Sequence, residues 1–198
     1  MKKEHSTSQE NIDQLQTHDL GLSAEGDLLS IYLNTARPDG LWIKTLRRRL
    51  NRVLASKLLA THRPAQRLSL SLCLSDAEEV RALNAQYRGK NKVTDVLSFA
   101  LQEGEPLYQP EGYPIELGDI IISLPTATEQ AARGALPRLQ KVASGRPWGI
   151  SEEVAFLSLH GLLHLLGFDH VEEEAAVEME RLEAALLPTL LGWRGRGR

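Results

Sequence analysis

His160, His164 and His170 fall within the run His160-Gly161-Leu162-Leu163-His164-Leu165-Leu166-Gly167-Phe168-Asp169-His170, spaced four and then six apart. Positions four apart on an α-helix lie one turn above each other on one face, so His160 and His164 can aim two imidazoles at a single point. Gly167 permits a left-handed exit from the helix, after which the chain can turn back and deliver His170 as a third nitrogen. Three nitrogen ligands with one open position describe a catalytic Zn²⁺ site better than a structural one, which is closed by four protein ligands. A lone buried histidine is ordinarily a core residue; three at ligand spacing, with a glycine at the break, outweigh that reading. Histidine nitrogens also suit Ni²⁺ and Cu²⁺. One Zn²⁺ per chain is expected, with Ni²⁺ or another divalent ion as the alternative.

The spacing is similar to that of metzincin proteases, His-Glu-x-x-His-x-x-Gly-x-x-His. The histidines and the glycine match, but Gly161 stands where the protease carries its catalytic Glu. The metal cage is present without the protease base, so the bond cleaved is not expected to be a peptide. Leu162, Leu163, Leu165 and Leu166 make the helix apolar nearly all round, hence buried.

The elements that must hold this run follow from periodicity. Residues 67–75 alternate leucine with serine, a period-two strand. Further strands are expected at 28–34, 95–101 and 118–124. Ile43, Leu46, Leu50, Val53, Leu54 and Leu58 fall at helical spacing over 43–58. Other helices are expected from the cap Asp76 to about Tyr87, from Pro125 to about Gln140, from the cap Ser151 through the histidines, and over 172–187, ending before Pro188. Residues 102–117 read as a long surface loop. The result is an α+β fold: a small mixed sheet of about four strands packed with about five helices, the metal-binding helix central.

A chain of 198 residues fits one domain, here 28–191, with extensions. Residues 1–27 carry six acids against two lysines and are expected to be mostly disordered; 192–198 read as a flexible basic tail. A single cysteine, Cys73, excludes an internal disulfide or a cysteine-based zinc site and suits core packing. No run approaches a membrane span, and no apolar stretch follows Met1, so a soluble, cytoplasmic protein is expected. The net charge of −3 hides an asymmetry: residues 41–67 hold eight basic side chains and no acid, whereas 151–183 hold nine acids and one base. The basic stripe fits either a phosphate backbone or a solvated helix face.

A second segment narrows the chemistry: Leu83-Asn84-Ala85-Gln86-Tyr87-Arg88-Gly89-Lys90-Asn91-Lys92-Val93-Thr94-Asp95-Val96-Leu97-Ser98-Phe99. With the histidine run, it resembles the YbeY family of bacterial and organellar endoribonucleases, and Gly118-Asp119-Ile120-Ile121-Ile122-Ser123 is similar to that family's strand motif. The resemblance covers roughly 28–192. It implies a metal-dependent, single-strand-specific endoribonuclease acting in ribosomal RNA maturation, notably at the small-subunit 3′ end, and in ribosome quality control. Single-stranded RNA and the ribosome or its proteins would be its partners. By position, His160, His164 and His170 match the family's metal ligands and Arg88 its functional arginine. The departures are the acidic amino-terminal extension, a connector at Lys141–Trp148 and the Gly/Arg tail.

The residue types agree with that chemistry. Zn²⁺ held by three histidines can lower the pKa of water to about 7, so Gly161 removes a base that is not required. Phosphodiester cleavage builds negative charge on non-bridging oxygens, and the always-charged, forked Arg88 suits it. Lys90 and Lys92 either hold flanking phosphates or are ordinary loop lysines. Asp169 either orients a ligand histidine or caps the turn, and Asp95 and Ser98 are expected to be structural. A metallopeptidase-like Zn hydrolase and a non-catalytic ribosome-associated module with a structural metal are the competing readings.

Overall fold

Leucine alternates with serine or cysteine from Leu68 to Ser75, and this stretch is the middle strand of the sheet. The computed structural model describes residues 17–19, 29–35, 40–61, 67–101 and 112–193. Its strands are β1 (Thr17–Asp19), β2 (Leu29–Thr35), β3 (Leu68–Ser75), β4 (Val96–Ala100) and β5 (Ile115–Ser123). They form one mixed sheet in the order β1-β2-β3-β5-β4. The β2/β3 and β3/β5 pairs are parallel; β1/β2 and β4/β5 are antiparallel. Leu68, Leu70, Leu72 and Leu74 are all buried, together with Ile120 and Ile122 of β5, because alternate side chains share one face of a strand.

Six helices are found among the described residues: α1 (Gly40–Leu54), α2 (Ala77–Arg88), α3 (Leu124–Arg133), α4 (Pro137–Ala143), α5 (Ile150–Leu165) and α6 (Glu173–Leu191). The α+β class and the central, buried helix agree with expectation. α5 packs on the leucine-lined face of the sheet, and α1 and α6 complete the core through Leu46, Leu50, Val53, Leu54, Met179, Leu182 and Leu186. α2 lies on the other face, where Tyr87 meets Phe99 edge-on at 5.2 Å. Asp76 caps α2 as expected, its carboxylate accepting from the Glu79 N–H at 2.8 Å.

Several expectations are corrected. Among the described residues the sheet has five strands rather than about four, because Thr17–Asp19 pair with β2. Three residues are too few to show a period, so periodicity does not mark this strand; the rest of 1–27 lies outside the described residues. The single helix expected from Pro125 to Gln140 is two. Gly134 takes φ 83°, and Pro137, which lacks an N–H, biases Leu136 toward its extended conformation, φ −50° and ψ 144°. α6 does not stop before Pro188 but runs through it to Leu191. Pro188 costs one helical hydrogen bond, while the continued helix buries Leu190 and Leu191 and closes on Gly192 with φ 66°. Trp193 then packs edge-on against Trp148 at 6.3 Å, so residues 192 and 193 are not part of the expected flexible tail; residues 194–198 lie outside the described residues. β5 starts at Ile115, inside the predicted loop; 102–111 lie outside the described residues. α1 ends at Leu54, short of the expected 58, and Leu58 is exposed.

Candidate metal centre and its cleft

α5 starts two residues earlier than the Ser151 cap predicts. Gly149 is the cap residue: its carbonyl accepts from the Glu153 N–H at 3.0 Å, and its N–H donates to the Glu152 carboxylate at 3.1 Å. Glu153 points inward instead and accepts from Trp148 Nε1 at 2.5 Å. Burial raises its carboxyl above the usual range, although the Trp148 hydrogen bond opposes that shift. The helix is seated so closely that Gly161 has no room for a side chain. A Cβ there would lie 2.8 Å from Cγ2 of Ile120 and 3.0 Å from Oγ of Ser98. The glycine that replaces the protease glutamate is thus a packing requirement of the helix against β4 and β5.

His160 and His164 are half-buried and face each other, Nε2 to Nε2, at 3.2 Å. The helix ends as Gly167 and the histidine spacing predict. Gly167 takes φ 90°, its N–H donates to the His164 carbonyl at 3.0 Å, and the Phe168 N–H donates to the Leu163 carbonyl at 3.0 Å. These bonds are the paired closure of a Schellman turn. They carry the chain back so that exposed His170 joins the pair, its ring 5.6 Å from that of His160 and 5.0 Å from that of His164. One ring nitrogen from each of the three histidines lies within 4.8 Å of the other two, close enough together to hold one metal ion.

The second nitrogen of each helical histidine is already committed. His164 Nδ1 lies 2.9 Å from the Phe168 carbonyl and His160 Nδ1 lies 2.7 Å from Glu183 Oε1. A carbonyl only accepts, and so does an ionised carboxylate. Both Nδ1 atoms therefore carry hydrogen, and when both rings are neutral the two Nε2 lone pairs point at each other. That arrangement is repulsive without a cation between them. Its spacing matches the edge of a tetrahedron with Zn–N bonds of about 2.0–2.1 Å, about 3.3–3.4 Å. The donor set fits a divalent metal ion. Burial, then the neighbouring His160 and His170, push the His164 imidazole down to about 4, so it is neutral and able to ligate near neutral pH.

Glu183 is the residue that the sequence pattern does not single out. It is 1% exposed, on the same stripe of α6 as Met179, Leu182 and Leu186. A carboxylate on an apolar helical stripe is the one signal that could have found it. Its other oxygen, Oε2, accepts from Arg138 Nη2 of α4 at 2.7 Å. Burial alone would raise this carboxyl, but the hydrogen bonds from His160 and Arg138 more than offset it, leaving it below the usual range. Of the two roles weighed for Asp169, the turn cap is the one seen: its carboxylate accepts from the Val171 N–H at 3.1 Å.

The histidines open onto a cleft of about 630 Å³ that Arg88 also lines. Arg88 is the last residue of α2, where Gly89 takes φ 66° and ends the helix. Asp95 lines the cleft as well, but its carboxylate is engaged by the Val96 N–H, Thr94 Oγ1 and Gln130 Nε2. The structural role expected for Asp95 accounts for these bonds. Ser98 lines the cleft and its carbonyl accepts from Arg88. Lys90 and Lys92 are exposed on the loop after Arg88, outside the cleft's lining, and buried Asn84 holds the Lys92 carbonyl at 2.8 Å. None of the residues lining the cleft comes from basic α1, on which Arg48 and Arg52 are exposed.

Fold and site together define an α+β protein built around a histidine centre suited to metal, with an arginine across a shared cleft. The family model described as Endoribonuclease YbeY matches residues 36–191, and the chain belongs to that family. It is 45% identical over 121 residues to the Endoribonuclease YbeY of Desulforamulus reducens, an alignment covering 61% of this chain and 71% of the relative. It is 41% identical to that of Trichormus variabilis, over 63% of this chain and 65% of the relative. The solution structure of TM1509 from Thermotoga maritima shares the fold, with a TM-score of 0.51 and 22% identity, over 83% of this chain and 89% of that one. The family favours the ribonuclease reading over the peptidase and binding-module alternatives. Among the described residues, no helix is long and apolar enough to cross a membrane.

Proposed function

We propose that the chain is a Zn²⁺-dependent, single-strand-specific endoribonuclease of ribosomal RNA maturation, with residues 28–191 as its working unit and β1 added from the extension. The observation that carries this reading is one cleft shared by the three histidines and Arg88, in a chain of the Endoribonuclease YbeY family. His160, His164 and His170 are the residues that would hold the ion. A divalent ion held there supplies Lewis acidity, for water or for a phosphoryl oxygen.

The protein's own groups do the rest. Arg88 presents a forked, permanently charged guanidinium to the cleft, suited to binding the scissile phosphate and countering the charge that builds on its non-bridging oxygens. The cleft lies between β4 and the 165–171 turn, and an open RNA strand is the substrate proposed for it. Lys90 and Lys92, exposed on the loop after Arg88, would meet flanking phosphates in this reading, and binding would then weaken as salt rises. With ribosomal RNA as substrate, the ribosome or its proteins are the expected partners, and the cytoplasm the expected location.

The test is a cleavage assay on single-stranded RNA, duplex RNA and a peptide library, with and without chelator. Cutting of single-stranded RNA that chelator abolishes and Zn²⁺ restores is the expected outcome. Cleavage indifferent to chelator, or confined to peptides, overturns the proposal. A 2′,3′-cyclic phosphate among the products would identify the RNA 2′-hydroxyl as nucleophile; 5′-phosphate and 3′-hydroxyl ends would identify water.

A further inference from the structure

Arg138 and Glu183 stand behind the histidine centre, and neither faces the substrate cleft. Glu183 is 1% exposed, yet both of its oxygens are assigned: Oε1 to His160 Nδ1 and Oε2 to Arg138 Nη2, each at 2.7 Å. Arg138 is held from three directions. It pairs with Glu183, its Nε lies 3.5 Å from Glu180 Oε1, and its guanidinium sits over the Phe156 ring, 5.5 Å from the centroid. Phe156 in turn packs near His160, ring centres 6.2 Å apart. Arg138 occupies the second position of α4, a helix that exists only because Gly134 and Pro137 break the preceding one.

A buried ion pair contributes little net stability over an apolar replacement, because desolvation cancels most of the attraction. Its use here is directional. The carboxylate has only acceptors, so Glu183 sets the polarity of the line Arg138–Glu183–His160, and Arg138, which has only donors, fixes which atom of residue 183 is turned away from His160. The hydrogen of His160 must sit on Nδ1, and the Nε2 lone pair must face His164.

We propose that Arg138 and Glu183 are a positioning pair that sets the tautomer of His160 and thereby the affinity of the three-histidine centre for its metal ion. The inference rests on the metal reading given above. It makes a specific demand on Glu183→Gln. Arg138 can only donate, so it claims the amide oxygen and leaves the amide NH₂ facing His160 Nδ1. That nitrogen must then accept, which moves the ring hydrogen to Nε2, the nitrogen the metal needs. Removing Arg138 as well frees the amide to turn its oxygen back toward His160. Arg138 also lines a cavity of about 410 Å³, so truncating it leaves hydrated space rather than a void.

The experiment compares the full-length wild type, Glu183→Gln, Arg138→Met and the double variant. Two quantities are measured: the His160 tautomer by ¹⁵N NMR of the metal-free protein at mildly alkaline pH, and Zn²⁺ affinity by chelator competition, with thermal unfolding to show that each variant is folded. The wild type should hold Nδ1–H. Glu183→Gln should switch to Nε2–H and lose about 10–100-fold in Zn²⁺ affinity, the range for outer-sphere partners of metal ligands. Arg138→Met should keep the wild-type tautomer with a smaller loss, and the double variant should bind Zn²⁺ more tightly than Glu183→Gln alone. A folded Glu183→Gln with wild-type tautomer and affinity overturns the positioning role. A wild-type chain that binds no Zn²⁺ overturns the metal reading itself.

Discussion

Arg88 Nη2 donates to the Ser98 carbonyl over 3.0 Å, tying the end of α2 to the outermost strand of the sheet. α2 packs on the face opposite α5, so Arg88 reaches around the edge of β4 to line the same cleft as the histidines. The arginine is held by a neutral acceptor, and the Ser98 bond occupies only one of its five N–H groups; the remaining donors can serve a phosphate.

Arg88→Ala should therefore lower cleavage of single-stranded RNA by about 10²–10³-fold, the cost of removing one preorganised donor of this kind, with metal content and thermal midpoint unchanged. Arg88→Lys should recover only part of that, because an ammonium lacks the fork. Steady-state cleavage rates beside metal analysis check this; a wild-type rate in Arg88→Ala would remove the residue from the mechanism.

His164→Ala should lose both metal and activity, since it deletes one of two nitrogens standing 3.2 Å apart. Elemental analysis after dialysis reads the outcome directly. Full metal occupancy in this variant would contradict the ligand assignment.

Gly161→Ala should destabilise the chain by about 1–3 kcal/mol, the usual cost of overpacking, because its Cβ would meet Ile120 Cγ2 at 2.8 Å. Gly161→Glu, which recreates the protease pattern, should unfold at lower temperature still and gain no peptidase activity, its side chain being directed at the sheet. Thermal melts and a peptide assay decide; a stable, peptide-cleaving variant would show that position 161 does face the cleft.

In the metal-free protein, stability should fall as pH drops from about 6.5 toward about 4. Burial and the other two histidines hold folded His164 near the lower value, whereas the unfolded chain takes up its proton at the ordinary one, about 6.5. The unfolded state thus binds more protons across that window and gains relative stability. Urea unfolding across the window checks the sign, and His164→Gln should flatten this part of the profile. Unchanged steepness in that variant would assign the effect elsewhere.

Cys73 should resist alkylation of the native protein near pH 8, reacting only on unfolding. Burial, then Glu79 and Asp119, push its thiol up to about 11, which leaves almost no thiolate to react. Mass spectrometry after brief iodoacetamide treatment measures it; rapid native labelling would mean that the β3 face is open.

Short-range geometry governs everything that the residues alone made legible. The four-residue spacing of His160 and His164 places them on one face in any α-helix, Gly167 admits the one backbone conformation that ends that helix with a reversal, and Asp76 caps its helix through its own amides. The leucine–serine alternation of β3 declares its buried face. Each signal lies within a few residues of the structure it specifies, so periodicity and capping read it directly. Tertiary structure alone decided the rest. Glu183 meets His160 across 23 positions of sequence, and Arg138 meets Glu183 across 45; no local pattern links them, because their contact depends on how α4, α5 and α6 pack. The same holds for Pro188, whose lost hydrogen bond counts for less than the leucines buried beyond it, and for Gly161, whose missing side chain reads as absent chemistry until β4 and β5 are seen pressed against it.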